Sequence, residues 1–108
     1  MAFRITQKPT FISRVIVETP NLKGGFDKSS FNAEFKRCGM DEIEELKKLP
    51  QKEVQQQVLV GWSELIDDDN NAVDFNEANL NALLNISPAL IALGESFWGS
   101  LFKAREKN

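Results

Sequence analysis

Asp67, Asp69 and Asn71 stand at alternate positions, the spacing at which the first three oxygen ligands of an EF-hand loop meet calcium. The match ends there. Ala72 occupies the place of the obligatory turn glycine and Ala78 that of the bidentate glutamate, so no metal site is expected. Asp67 to Asn71 reads instead as a turn whose side-chain oxygens satisfy its own backbone. The chain contains no histidine, which removes Ser-His-Asp and Cys-His catalysis and the commonest zinc ligand. Gly24-Gly25 lacks the further glycines, the lysine and the helix start of a phosphate loop. Glu44 and Glu45 are adjacent, and adjacent residues of a helix do not face each other as an acid and base pair must. Cys38 is single, so no intramolecular disulfide forms and a buried thiol is expected. No catalytic residues, no metal and no cofactor are assigned, and the chain is read as a non-enzyme.

The elements around these residues can be placed from periodicity. Phe11, Ser13, Val15 and Val17 alternate with Ile12, Arg14, Ile16 and Glu18, and Phe31, Ala33 and Phe35 alternate with Asn32, Glu34 and Lys36. Both are strand patterns, and Pro20 with Gly24-Gly25 marks the turn between them. The expectation is a β-hairpin over about 10–37 with a long, mobile connection. A bare hairpin is marginal in water, so helices or a second copy must cover its apolar face, and its open edge suggests a homo-oligomer.

About four helices follow, over about 41–48, 51–62, 76–85 and 87–103, for an α+β fold. Asp41 is placed to cap the first, which carries Ile43 and Leu46 and ends at Pro50. Val54, Val58 and Trp62 at four-residue spacing predict one apolar face of the second, with Gly61 weakening its last turn. Asn76 caps the third; Phe75 before the cap is placed to staple onto Leu80, and Leu80, Leu83 and Leu84 form the buried stripe. Ser87 and Pro88 read as N-cap and first position of the last helix. Its apolar set includes Leu90, Leu93 and the adjacent pairs Phe97-Trp98 and Leu101-Phe102, wider than one neighbouring helix covers. Either a partner or the hairpin meets the surplus. Trp62 and Trp98 at helical spacing read first as core.

The 108 residues make one domain, 1–108, with 1–9 and 104–108 expected as flexible tails. Eight phenylalanines supply a core without staples. A net charge of −3 leaves no reserve for neutralising phosphates, which speaks against nucleic acid. The start turns polar too soon for a secretory signal, and the apolar run from Ile86 is stopped by Glu95, short of the ~20 residues that span a bilayer, so no membrane association is expected.

Taken in order, Val58-Leu59-Val60-Gly61-Trp62, the acidic turn Asp67 to Asn71, and Val73-Asp74-Phe75-Asn76 through Leu84 resemble the tail assembly chaperones of long-tailed bacteriophages and prophages. The β segments Phe11 to Pro20 and Phe31 to Lys36 and the acidic helix start at Met40 to Leu46 extend the likeness to roughly Phe11 to Phe102, with Gly61 to Leu84 its specific part. Two departures stand out. Asn70-Asn71 replaces a frequent glycine and Asn76 a frequent serine, and asparagine suits both left-handed turns and caps.

The resemblance implies a chaperone, in the short rather than frameshifted form, acting in the cytoplasm of the host bacterium. It would bind the tape-measure protein, keep it soluble and assist polymerisation of the tail-tube protein. The partner contacts expected are Phe97, Trp98, Leu101 and Phe102, with Trp62, because aromatic anchors dominate interface energy. The competing readings are a small tail or connector subunit retained in the virion, and a calcium-responsive module at Asp67 to Asn71.

Overall fold

The two alternating segments pair as expected. In the computed structural model, which describes residues 1–106, β1 (Thr10–Pro20) and β2 (Phe26–Lys36) run antiparallel from Thr10 opposite Lys36 to Pro20 opposite Phe26. Val15 and Val17 from β1 and Phe31, Ala33 and Phe35 from β2 point into the core, while Ile12, Arg14, Ile16 and Glu18 face outward. The turn differs from the long, mobile connection expected. Both strands continue further, and Asn21 closes the turn, its Oδ1 accepting from the amides of Lys23 and Gly25 at 3.0 Å each. Gly24 supplies the left-handed backbone there, at φ +84°.

The helices are α1 (Met40–Leu46), α2 (Gln51–Val58), α3 (Glu77–Leu84) and α4 (Ser87–Glu106), which gives the α+β fold. The second helix is shorter than expected. It stops at Val58, and Leu59–Ser63 forms a third strand, β3, antiparallel to β2, so the sheet order is β1-β2-β3. Trp62 therefore sits opposite Ala33 in the sheet and does not continue the face of Val54 and Val58. Gly61 does not loosen a helical turn. It lies opposite Glu34, where an added Cβ would come within 2.9 Å of the Glu34 Oε1. A register shift between Glu34 and Phe35 leaves Val60 without an opposite residue.

Smaller corrections concern the helix starts. α1 begins at Met40 after an extended Gly39 with no side-chain cap, and Asp41 lies in its first turn. In α4, Ser87 is already helical and the Ile86 carbonyl accepts from the Leu90 amide at 3.0 Å, so Ser87 is not the cap. The Asn76 cap is as read: its Oδ1 accepts from the Asn79 amide at 2.8 Å. α4 runs to Glu106, past the expected end at 103, which takes 104–106 out of the expected tail; residues 107 and 108 lie outside the described residues. Residues 1–9 carry no regular secondary structure.

The core is built between the sheet and α2, α3 and α4. Phe35 and Phe97 are fully buried with ring centroids 5.2 Å apart, and Phe11 extends the stack from Phe35 at 5.7 Å. Burial of a side chain of that size contributes about 1.5–3 kcal/mol, and an aromatic pair about 0.5–1.5 kcal/mol more. Leu80, Leu83 and Leu84 bury the stripe of α3. α4 runs alongside β1, the outer strand of the sheet. Ser96 donates its hydroxyl to the Arg14 carbonyl at 3.1 Å, and its Oγ lies 2.6 Å from that of Ser13. The outer edge of β1 thus receives one side-chain hydrogen bond from α4, at Arg14.

Candidate partner-binding surface

The last helix divides its apolar residues between two environments. Leu93 and Phe97 are enclosed with no exposure, locked by the aromatic stack onto the sheet. Phe97 is therefore corrected from a partner contact to a core residue, since nothing outside can touch it while the domain is folded. One position along, Trp98 lies half-buried, its ring 5.0 Å from Phe97 and its indole N–H donating to the Gln51 Oε1 at 3.3 Å. Leu101 and Phe102 are exposed by 37% and 43%.

Helical geometry makes these residues a surface. Positions 91, 94, 98 and 101 repeat at spacings of three and four, the seam that a second helix packs against. Ile91 is 62% exposed, and with Leu90, Gly94, Trp98 and Gln51 it lines a shallow groove of about 410 Å³. Gly94 keeps the groove floor low, because a Cβ there would approach the Gln51 Oε1 to 2.9 Å. Ile91 was missed in the sequence. The adjacent aromatic pairs drew the expectation towards the helix end, whereas the three-four repeat through Ile91 was there to find.

Trp62 belongs elsewhere. Its indole N–H donates to the Val73 carbonyl at 2.8 Å and its ring packs on Phe75 at 4.7 Å, so it fastens the segment after the acidic turn onto β3. Its donor is already used, which makes it a structural anchor rather than a ready contact. Phe75, expected to staple Leu80, lines the same groove as Leu80 but takes Trp62 as its ring partner.

The acidic turn closes on itself. Asp67 Oδ1 accepts from the amides of Asp69 at 2.9 Å and Asn71 at 3.0 Å, Ile66 pairs with Ala72, and Asn70 takes the left-handed conformation at φ 65°. Among the described residues no cluster of histidine, cysteine, aspartate or glutamate has the arrangement of a metal site. The Cys38 thiol is half-buried against the core rather than enclosed, and burial raises its pKa above the ordinary 9.0. No single helix among the described residues is long and apolar enough to cross a membrane.

The outward face of β1 carries a second apolar feature, Ile12 and Ile16, exposed by 64% and 53%. Arg14 stands between them. Its guanidinium bonds Asn32 at 3.0 Å, Ser30 at 2.8 Å and Glu64 at 2.9 Å, tying all three strand regions together on the solvent side. No family model, no curated protein and no solved structure matches this chain.

Proposed function

We propose that this protein is a bacteriophage tail assembly chaperone that masks apolar helical surface of the tape-measure protein in the host cytoplasm while the tail-tube protein polymerises around it. The reading rests on the resemblance over Gly61 to Leu84 and on one physical observation. Ile91 and Phe102, exposed, and Trp98, half-buried between them, present a helically spaced apolar ridge on α4. A long helical client buries its own apolar seam against such a ridge, with the aromatic side chains as anchors. Among the described residues that line the groove on this ridge, Glu95 is the one charged side chain, so recognition would rest on apolar area and tolerate many client sequences.

The test is co-expression with a phage tape-measure protein. Trp98→Ala with Phe102→Ala should lose co-purification of a soluble client while the free protein stays folded by circular dichroism, its midpoint lowered by the lost Trp98 contacts with Phe97 and Gln51. Retained co-purification would overturn the assignment of the ridge. Mass spectrometry of purified virions separates this function from that of a retained tail subunit: a chaperone is absent, and stoichiometric presence would overturn the reading.

A further inference from the structure

The segment ahead of β1 leaves its apolar side chains in water. Met1, Phe3 and Ile5 alternate along it, with Phe3 exposed by 84% and Ile5 by 92%. Alternate apolar residues form one face of an extended strand, and a face left in solvent lacks its partner. Its charge has one sign: Arg4, Lys8 and Arg14 are the only charged side chains in residues 1–17. The reverse holds over residues 53–102, which carry acidic side chains and neither lysine nor arginine.

Within that acidic half lies a groove of about 490 Å³ between α2, β3 and α3, walled by Leu59, Val60, Phe75 and Leu80, with Gln57 and Glu77 at the rim. Val60 and Phe75 are exposed there by 40% and 39%. Among the described residues β3 is an edge strand, bonded within the sheet to β2 alone, and Asp74 and Glu77 flank Phe75 in sequence.

We propose that residues 1–8 of one copy dock in extended form into this groove of a second copy of the chain. Phe3 and Ile5 cover Val60, Phe75 and Leu80, and the long side chains of Arg4 and Lys8 reach over the groove margin to the carboxylates of Asp74 and Glu77. Pro9 fixes the root of the segment, its carbonyl accepting from the Arg37 amide at 2.9 Å, and eight extended residues reach about 26 Å beyond it. The groove is separate from the Ile91 to Phe102 ridge, so this exchange stands independently of the chaperone reading.

Sedimentation velocity on the full chain tests it with two charge reversals, Arg4→Glu with Lys8→Glu, and Asp74→Lys with Glu77→Lys. The unaltered chain should dimerise, and each variant alone should associate at least ~10-fold more weakly because like charges then meet. An equimolar mixture of the two should recover the dimer, since both reversed surfaces again find opposite charge. Phe3→Ser with Ile5→Ser, confined to exposed residues, should lose the dimer with an unchanged circular dichroism spectrum. An unaltered chain that stays monomeric at ~100 μM, as it would if the segment folded onto its own groove, overturns the proposal. So does a dimer indifferent to the Phe3 and Ile5 changes, or a mixture that fails to pair.

Discussion

Gln55 is fully enclosed on α2, and neither its Nε2 nor its Oε1 has a hydrogen-bond partner among the described residues. An amide buried without partners costs about 1–3 kcal/mol, so Gln55→Met, similar in length and free of that penalty, should raise unfolding stability by about 1 kcal/mol or more in urea. A fall instead would show that a bound water satisfies the amide. The sequence hid this residue inside the polar run Gln55-Gln56-Gln57, where nothing distinguishes the buried member except its place beside Val54. Phe97 and Phe102 show the same difficulty in the apolar class. Both are phenylalanines of one helix, yet Phe97→Ala should cost about 3–5 kcal/mol by opening a cavity, while Phe102→Ala should leave the midpoint nearly unchanged. Charge at residue scale is legible only in three dimensions. Lys36 Nζ donates to Glu42 Oε2 at 2.5 Å, which lowers the Glu42 pKa below 4.5 and raises that of Lys36 above 10.5. A depressed carboxylate stabilises the fold above its unfolded pKa and loses that contribution as pH falls through its folded value. Wild type should therefore exceed Glu42→Gln in stability at neutral pH, with the difference vanishing in acid, as pH-dependent denaturation would measure.

At the scale of elements, the hairpin and α3 were readable because local chemistry and tertiary demand agree. Alternation gives the buried face of β1 and β2, and Asn76 caps α3 whatever lies around it. Asn76→Ala should cost about 1 kcal/mol, measured by thermal unfolding, and Asn76→Ser should restore most of it. β3 was not readable for a definite reason. Val58 and Trp62 are four apart, a spacing shared by one helical face and by every second step of a strand, and the intervening Val60 is displaced by the register shift. What decides for strand is the edge of β2, which offers Asn32, Ala33 and Glu34 as pairing partners far away in sequence. The helix starts of α1 and α4 erred for a smaller reason. Asp41 and Ser87 are good caps by type, but Asp41 lies two residues past the boundary at Gly39 and Ser87 one past that at Ile86.

For the whole molecule, the sheet, the helices and the leading segment give extents of 48 × 35 × 31 Å and a radius of gyration of 15.1 Å. A domain of this length packs to roughly 13 Å, so this molecule is the more extended of the two. The α4 ridge and the β3 groove share no lining residue. Combining Trp98→Ala and Phe102→Ala with Arg4→Glu and Lys8→Glu should therefore give losses of client binding and of dimerisation that each equal the loss in the separate variants. Measured coupling beyond about 0.5 kcal/mol would mean that the surfaces communicate. The Ser96 hydroxyl on the Arg14 carbonyl bears on such assembly. A sheet grows by adding strands at its outer edges, and here a strand joining at β1 would compete with Ser96 for the Arg14 carbonyl. Addition at β1 therefore carries the cost of one broken hydrogen bond to α4.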